Sequence, residues 1–193
     1  MVIYRDSKNS IFSECALKGG TMQRAEKGFT IVELMITLVI VAIMIAFATP
    51  SFIDMIEKNR VRTTGENLLE LLRTSRLTAV QQRSTVVVCG SSNRETCDND
   101  WQSSIITVKP AENDGQDQIL ASMSISDKVT ISKTNNGPIN TNIDFNSNGW
   151  SPFDNTIITL CPVDGKQRNA YQVTLSGSGK TKIRSNTQDE NWC

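Results

Sequence analysis

The sequence predicts an α+β chain: one long N-terminal α-helix, half membrane-spanning in character and half amphipathic, packed on a C-terminal head of antiparallel β-sheets. Three observations predict it. Residues Phe29 to Ala48 read FTIVELMITLVIVAIMIAFA, an apolar run whose one charge is Glu33. After Pro50 the apolar and small residues recur at helical spacing as far as Arg83. From Ser84 onward, short β-branched runs alternate with turn-forming residues.

The apolar run is about 20 residues long, enough to cross the hydrocarbon core of a bilayer at 1.5 Å per residue. A lone carboxylate in such a segment is costly in lipid, so Glu33 is a functional candidate by default. The plainer alternatives are a simple anchor with an incidental Glu, or a signal peptide. A signal peptide has a shorter apolar stretch with a small-residue cleavage site after it. Here the distinctive junction, Lys27-Gly28-Phe29, comes before the run.

Beyond Pro50, Val61, Gly65, Leu68, Leu72, Ser75 and Ala79 recur at steps of four and three, one face of an α-helix. Leu69 and Val80 widen that stripe, whereas Leu71 and Leu77 fit it poorly. Glu66, Glu70, Arg73, Arg76 and Arg83 lie mostly elsewhere, acidic before basic, as the helix dipole prefers. A continuous helix from Phe29 to Arg83 would be about 80 Å long. Pro50 should kink or loosen it, because proline removes one amide donor and clashes one turn back. The small Gly65 and Ser75 should let the second half approach a sheet closely.

The head reads as successive strands: Thr85–Cys89, Ser103–Lys109, Ile119–Met123, Val129–Ser132, Ile143–Phe145, Thr156–Cys161, Ala170–Ser176 and Lys180–Arg184. Turn residues separate them at Glu112–Gly115, Asn135–Pro138, Asn146–Gly149 and Gly177–Gly179. Short strands at this spacing indicate antiparallel sheets.

Catalytic chemistry finds no support. The chain has no His, which removes the commonest general base. No serine sits in a Gly-x-Ser-x-Gly elbow, and no phosphate-binding loop occurs. The Glu112–Gly115 turn lacks the ligand spacing of a calcium loop. Without His or CxxC pairs, a zinc site is not expected. No enzyme, metal or cofactor is predicted.

Gly28 followed by Phe29, with Glu33 five places and Pro50 twenty-two places after the glycine, resembles the class III signal of type IV pilins and type II secretion pseudopilins. The resemblance implies cleavage between Gly28 and Phe29 by a prepilin peptidase on the cytoplasmic side, and N-methylation of Phe29. It also implies packing of the apolar helix into a filament core. There the new amine of Phe29 can pair with Glu33 of a neighbour, which makes both charges tolerable in apolar surroundings. Residues 1–28 then form the leader, 29–50 the membrane and filament-core helix, 51–83 the amphipathic helix and 84–193 a periplasmic head. A leader starting at Met22 would suffice, so translation is expected to begin there. The leader carries Arg5, Lys8, Lys18, Arg24 and Lys27 against Asp6, Glu14 and Glu26, which places that end in the cytoplasm. The implied location is the inner membrane, single-pass, and then the pilus or pseudopilus.

Removal of the leader takes Cys15 and leaves Cys89, Cys97, Cys161 and Cys193, an even set in an oxidising compartment. Three connectivities are open. We favour Cys89 with Cys97, closing a short loop, and Cys161 with the C-terminal Cys193.

The β order narrows the resemblance. A strand led by Trp101, then Phe145 with Gly149, then Leu160-Cys161, then the Gly179-Lys180-Thr181-Lys182 hairpin is similar to GspH/FimT/FimU minor subunits, most of all the FimU type. Major pilins share the helix but resemble this head less. The implied partners are other minor pilins and the major pilin, in a complex that initiates and caps the pilus. The alternatives are a type II secretion pseudopilin of the GspH type and a FimT-like DNA-binding minor pilin for natural transformation. Some FimT relatives bind DNA through a Gly-Arg-x-Arg motif, and both Arg positions are Lys here, at 180 and 182. A cluster of Lys166, Arg168, Lys180, Lys182 and Arg184 against Asp164 could track phosphates, but a solvated surface is the favoured reading.

Overall fold

The computed structural model describes residues 28–111, 115–133, 142–151, 155–187 and 190–193. Residues 1–27 of the expected leader, the turn at Asn135–Pro138 and residues 112–114 of the turn at Glu112–Gly115 lie outside these. The chain divides into two compact units between Ile43 and Met44.

Helix α1 runs Ile31–Gln82, 52 residues, so both halves distinguished in the sequence belong to one element with Pro50 inside it. At its start the Glu33 amide donates to Thr30 Oγ1 at 3.2 Å and the Leu34 amide to the Thr30 carbonyl at 3.1 Å. Thr30 therefore caps the helix and satisfies an otherwise unpaired amide. Every residue from Gly28 to Phe47 is exposed.

The second unit holds the rest of α1 and eight strands: β1 (Val86–Ser91), β2 (Ser104–Lys109), β3 (Gln118–Ser124), β4 (Val129–Lys133), β5 (Ile143–Phe145), β6 (Thr156–Pro162), β7 (Tyr171–Leu175) and β8 (Thr181–Ser185). They form two four-stranded sheets, ordered β3-β2-β1-β5 and β4-β6-β7-β8. All pairings are antiparallel, as the sequence predicts. Trp101 lies in the turn ahead of β2 instead of leading the strand, and is buried there.

The helix stripe meets both sheets in one core. Val61, Leu68, Leu69, Leu71, Leu72 and Ala79 pack with Val86, Val88, Ile105 and Phe145 of the first sheet and Ile131, Ile158, Leu160 and Val173 of the second. Full burial of one such aliphatic side chain stabilises by roughly 1.5–3 kcal/mol. Two helix positions depart from the expected stripe. Leu71 is buried, because the helix packs on both sheets and the contact is broader than one line of residues, whereas Val80 is 44% exposed and outside that core. The small positions behave as expected. A Cβ on Gly65 would lie 2.9 Å from Ile183 Cδ1, and Ser75 Oγ shares a 2.8 Å hydrogen bond with Thr107 Oγ1. On the outer face of the first sheet, Cys89, Ile106 and Val108 form a small separate cluster.

Two disulfides close the head: Cys89–Cys97 and Cys161–Cys193, with Cα separations of 5.6 and 5.9 Å. The first pins the loop after β1. The second ties the C-terminus to β6.

Candidate functional site

The sequence points to two regions, the start of α1 and the basic C-terminal face. Gly28 and Phe29 precede the helix in exposed positions, with Phe29 at 78% exposure, and Glu33 stands one turn in. The Thr30-Ile31-Val32-Glu33 spacing is that of a capping box. The structure contains its Thr30 half. That local role was legible in the sequence beside the functional one, and the bond uses the backbone of Glu33. It leaves the carboxylate available to a partner.

The basic cluster does not act as one patch. Lys166 Nζ lies 2.7 Å from Asp54 Oδ1, 3.1 Å from Glu57 Oε2 and 2.7 Å from Asp164 Oδ2. Arg168 also pairs with Asp54. The hydrogen bond from Lys166 holds the Asp54 carboxyl below its ordinary value, and Asp164, Asp54 and Glu57 together raise the Lys166 ammonium. These contacts join the connection after β6 to α1 across more than a hundred residues of sequence. Arg184 is likewise engaged. It donates to Gln172 Oε1 at 3.0 and 2.8 Å, lies 3.6 Å from Glu190 and stacks 4.6 Å over Trp192. Of the five cations, Lys180 and Lys182 alone lack an ion pair among the described residues.

Arg76, placed by the helix pattern away from the core, proves to be a fastening point. Its Nε donates to the Gly149 carbonyl at 2.8 Å and its Nη2 reaches the Ser178 carbonyl at 3.4 Å. It thereby joins α1 to the turn after β5 and to the β7–β8 hairpin. Gly149 and Gly179 both have positive φ, and a Cβ on Gly179 would sit 2.1 Å from the Gly149 oxygen. Only glycine accommodates both demands there. Beside this junction lies an open groove of about 650 Å³, lined by Arg73, Arg76, Leu77, Trp150 and Lys180 among others. Among the described residues, no group of His, Cys, Asp and Glu is arranged to hold a metal.

The model of the type II transport protein GspH family matches residues 64–179, which span the packed half of α1 and most of the head. The chain belongs to the GspH family. A second model, the prokaryotic N-terminal methylation motif, matches residues 23–49 and so covers Gly28, Phe29 and Glu33. Among curated relatives, the type IV major alpha-pilin of Moraxella bovis is 29% identical over 168 residues, covering 82% of this chain and 98% of that protein. That match reaches well past the helix, so likeness to a major pilin is not confined to α1. A fimbrial protein of Pseudomonas aeruginosa is 25% identical, over 67% of this chain and 93% of its own length.

Among solved structures, the type IV minor pilin FimU of Pseudomonas aeruginosa is similar with a TM-score of 0.53 and 17% identity, over 68% of this chain and 93% of that one. The minor pseudopilin EpsH of the Vibrio cholerae type 2 secretion system is similar with a TM-score of 0.50 and 9% identity, over 67% and 99%. At these identities the two structures speak for the fold. The fold is that of pilins and pseudopilins, and the GspH family to which the chain belongs is one of structural subunits, not of enzymes. Its methylation motif and long apolar helix fit a membrane-anchored pilin.

Proposed function

We propose that the chain is a minor pilin of a type IV pilus that acts in initiation and tip assembly, held in the inner membrane until it enters the filament. The observation that carries this reading is the N-terminal half of α1. Apolar side chains from Phe29 to Phe47 are exposed on every side, with Glu33 as the one charge among them. Such a surface needs lipid or other apolar helices around it. A carboxylate there needs a partner that brings positive charge.

Cleavage between Gly28 and Phe29 by a prepilin peptidase creates that charge, the amine of Phe29. Pairing of this amine with Glu33 of the next subunit neutralises both inside the filament core. Pairing of the Glu33 charge also favours transfer of the helix from membrane to filament, because lipid offers Glu33 no comparable partner. The head contributes surfaces to neighbouring pilins and carries no chemistry of its own. The FimU-like fold supports the pilus reading, and the EpsH-like fold supports service in a type II secretion pseudopilus as the second reading.

Mass spectrometry of the membrane-extracted protein tests the first step. An N-methylated Phe29 terminus is expected. An intact leader in cells with active prepilin peptidase would contradict the reading.

A further inference from the structure

The groove beside Arg76 brings cationic and exposed apolar side chains together. Arg73, Arg76 and Lys180 line it, and none of the described lining residues is acidic. Leu77 and Trp150 line it as well and are open to solvent, at 56% and 59% exposure. Arg76 is already oriented by the carbonyls of Gly149 and Ser178. A guanidinium held in this way loses little freedom when it meets an anion.

From these features we infer that the groove is a docking site for an acidic segment of a neighbouring filament subunit, one whose carboxylates alternate with aromatic or large aliphatic side chains. Carboxylates of the segment face Arg73, Arg76 and Lys180, and its apolar side chains cover Trp150 and Leu77. An exposed Trp and an oriented Arg side by side are the kind of anchors that dominate protein interfaces. Nucleic acid fits less well. Phosphate binding gains from a long track of free cations, and here Lys166, Arg168 and Arg184 are engaged by carboxylates of the same chain. Leu77 and Trp150 also give the groove apolar surface that a phosphate backbone does not match.

The inference rests on the reading of the chain as a filament subunit, but its test stands apart from assembly. The full-length protein in detergent is titrated into a short fluorescein-labelled peptide of alternating glutamate and phenylalanine, followed by anisotropy. A peptide with lysine replacing glutamate and a labelled oligothymidylate serve as comparisons. The acidic peptide is expected to bind and the lysine peptide not to. Arg73→Glu and Trp150→Ala should each weaken binding by roughly tenfold or more, as loss of an anchoring contact does. Both side chains are exposed, so circular dichroism should show both variants folded. No binding of the acidic peptide, or binding indifferent to both substitutions, would overturn the inference. Stronger binding of the oligothymidylate with the same dependence would overturn it in favour of a nucleic-acid groove. Failure of the filament reading leaves this result unchanged, because no assembly step is involved.

Discussion

Arg76 Nε lies 2.8 Å from the carbonyl oxygen of Gly149, seventy-three residues away in sequence. The bond closes the junction between α1, the turn after β5 and the β7–β8 hairpin. Removing the guanidinium in Arg76→Ala leaves that carbonyl without its charged donor. The expected cost is about 1–3 kcal/mol. Gly179→Ala should also destabilise, because the new Cβ meets the Gly149 oxygen and the backbone has φ +75°. Urea unfolding of the full-length chain in detergent checks both. Stability unchanged in either variant would contradict the assigned role.

The ion cluster around Lys166 predicts a defined pH window. Asp54 is held low by Lys166, so its contribution is present above the unfolded carboxylate value, about 4, and is lost as pH falls through the lower folded value. Lys166 is raised, so its contribution is complete below the unfolded ammonium value, about 10.4, and is lost only as pH rises beyond it. The difference in melting temperature between wild type and Lys166→Met should therefore be flat from about pH 5 to about pH 9. It should shrink below about pH 4, and added salt should reduce it throughout, since the groups are partly exposed. A difference that grows on acidification would contradict this assignment.

The Cys161–Cys193 bridge holds a C-terminus that has further fastenings. Gln167 Oε1 accepts from the amides of Trp192 and Cys193 at 2.8 and 2.9 Å. Replacing both cysteines by serine should cost about 2–5 kcal/mol. Hydrogen exchange should rise first at Trp192 and Cys193, whose amides depend on that anchorage. Exchange there equal to wild type would show that the Gln167 contacts hold the tail unaided.

Much of the fold was legible because its signals are local. Runs such as Val86-Val87-Val88 and Ile157-Ile158 declare strands without knowledge of their partners, and the positions from Val61 to Ala79 declare a helix face. The end of α1 at Gln82 and the final hairpin follow from the same patterns. What sequence could not show depends on distant segments meeting. Lys166 and Arg168 read as free surface cations until the fold brings Asp54 and Glu57 to them. Arg76 read as a solvent-facing residue, and its partners lie in two turns far along the chain. Val80 followed the helical period but stays 44% exposed, set against the turn at Gly149 and not in the core. The Gly28, Phe29 and Glu33 signal is local in sequence, and the pairing proposed for it needs a neighbour that one chain does not contain.

Incorporation of Glu33→Ala into filaments tests the central claim most directly. Wild type and variant are compared by immunoblot of the membrane fraction and of sheared filaments. Removing the charge eases insertion, so the variant should reach the membrane at wild-type level. It should be depleted from sheared filaments, because the Phe29 amine of a neighbour has lost its counter-charge. Equal amounts of variant and wild type in sheared filaments would contradict assembly through this pair.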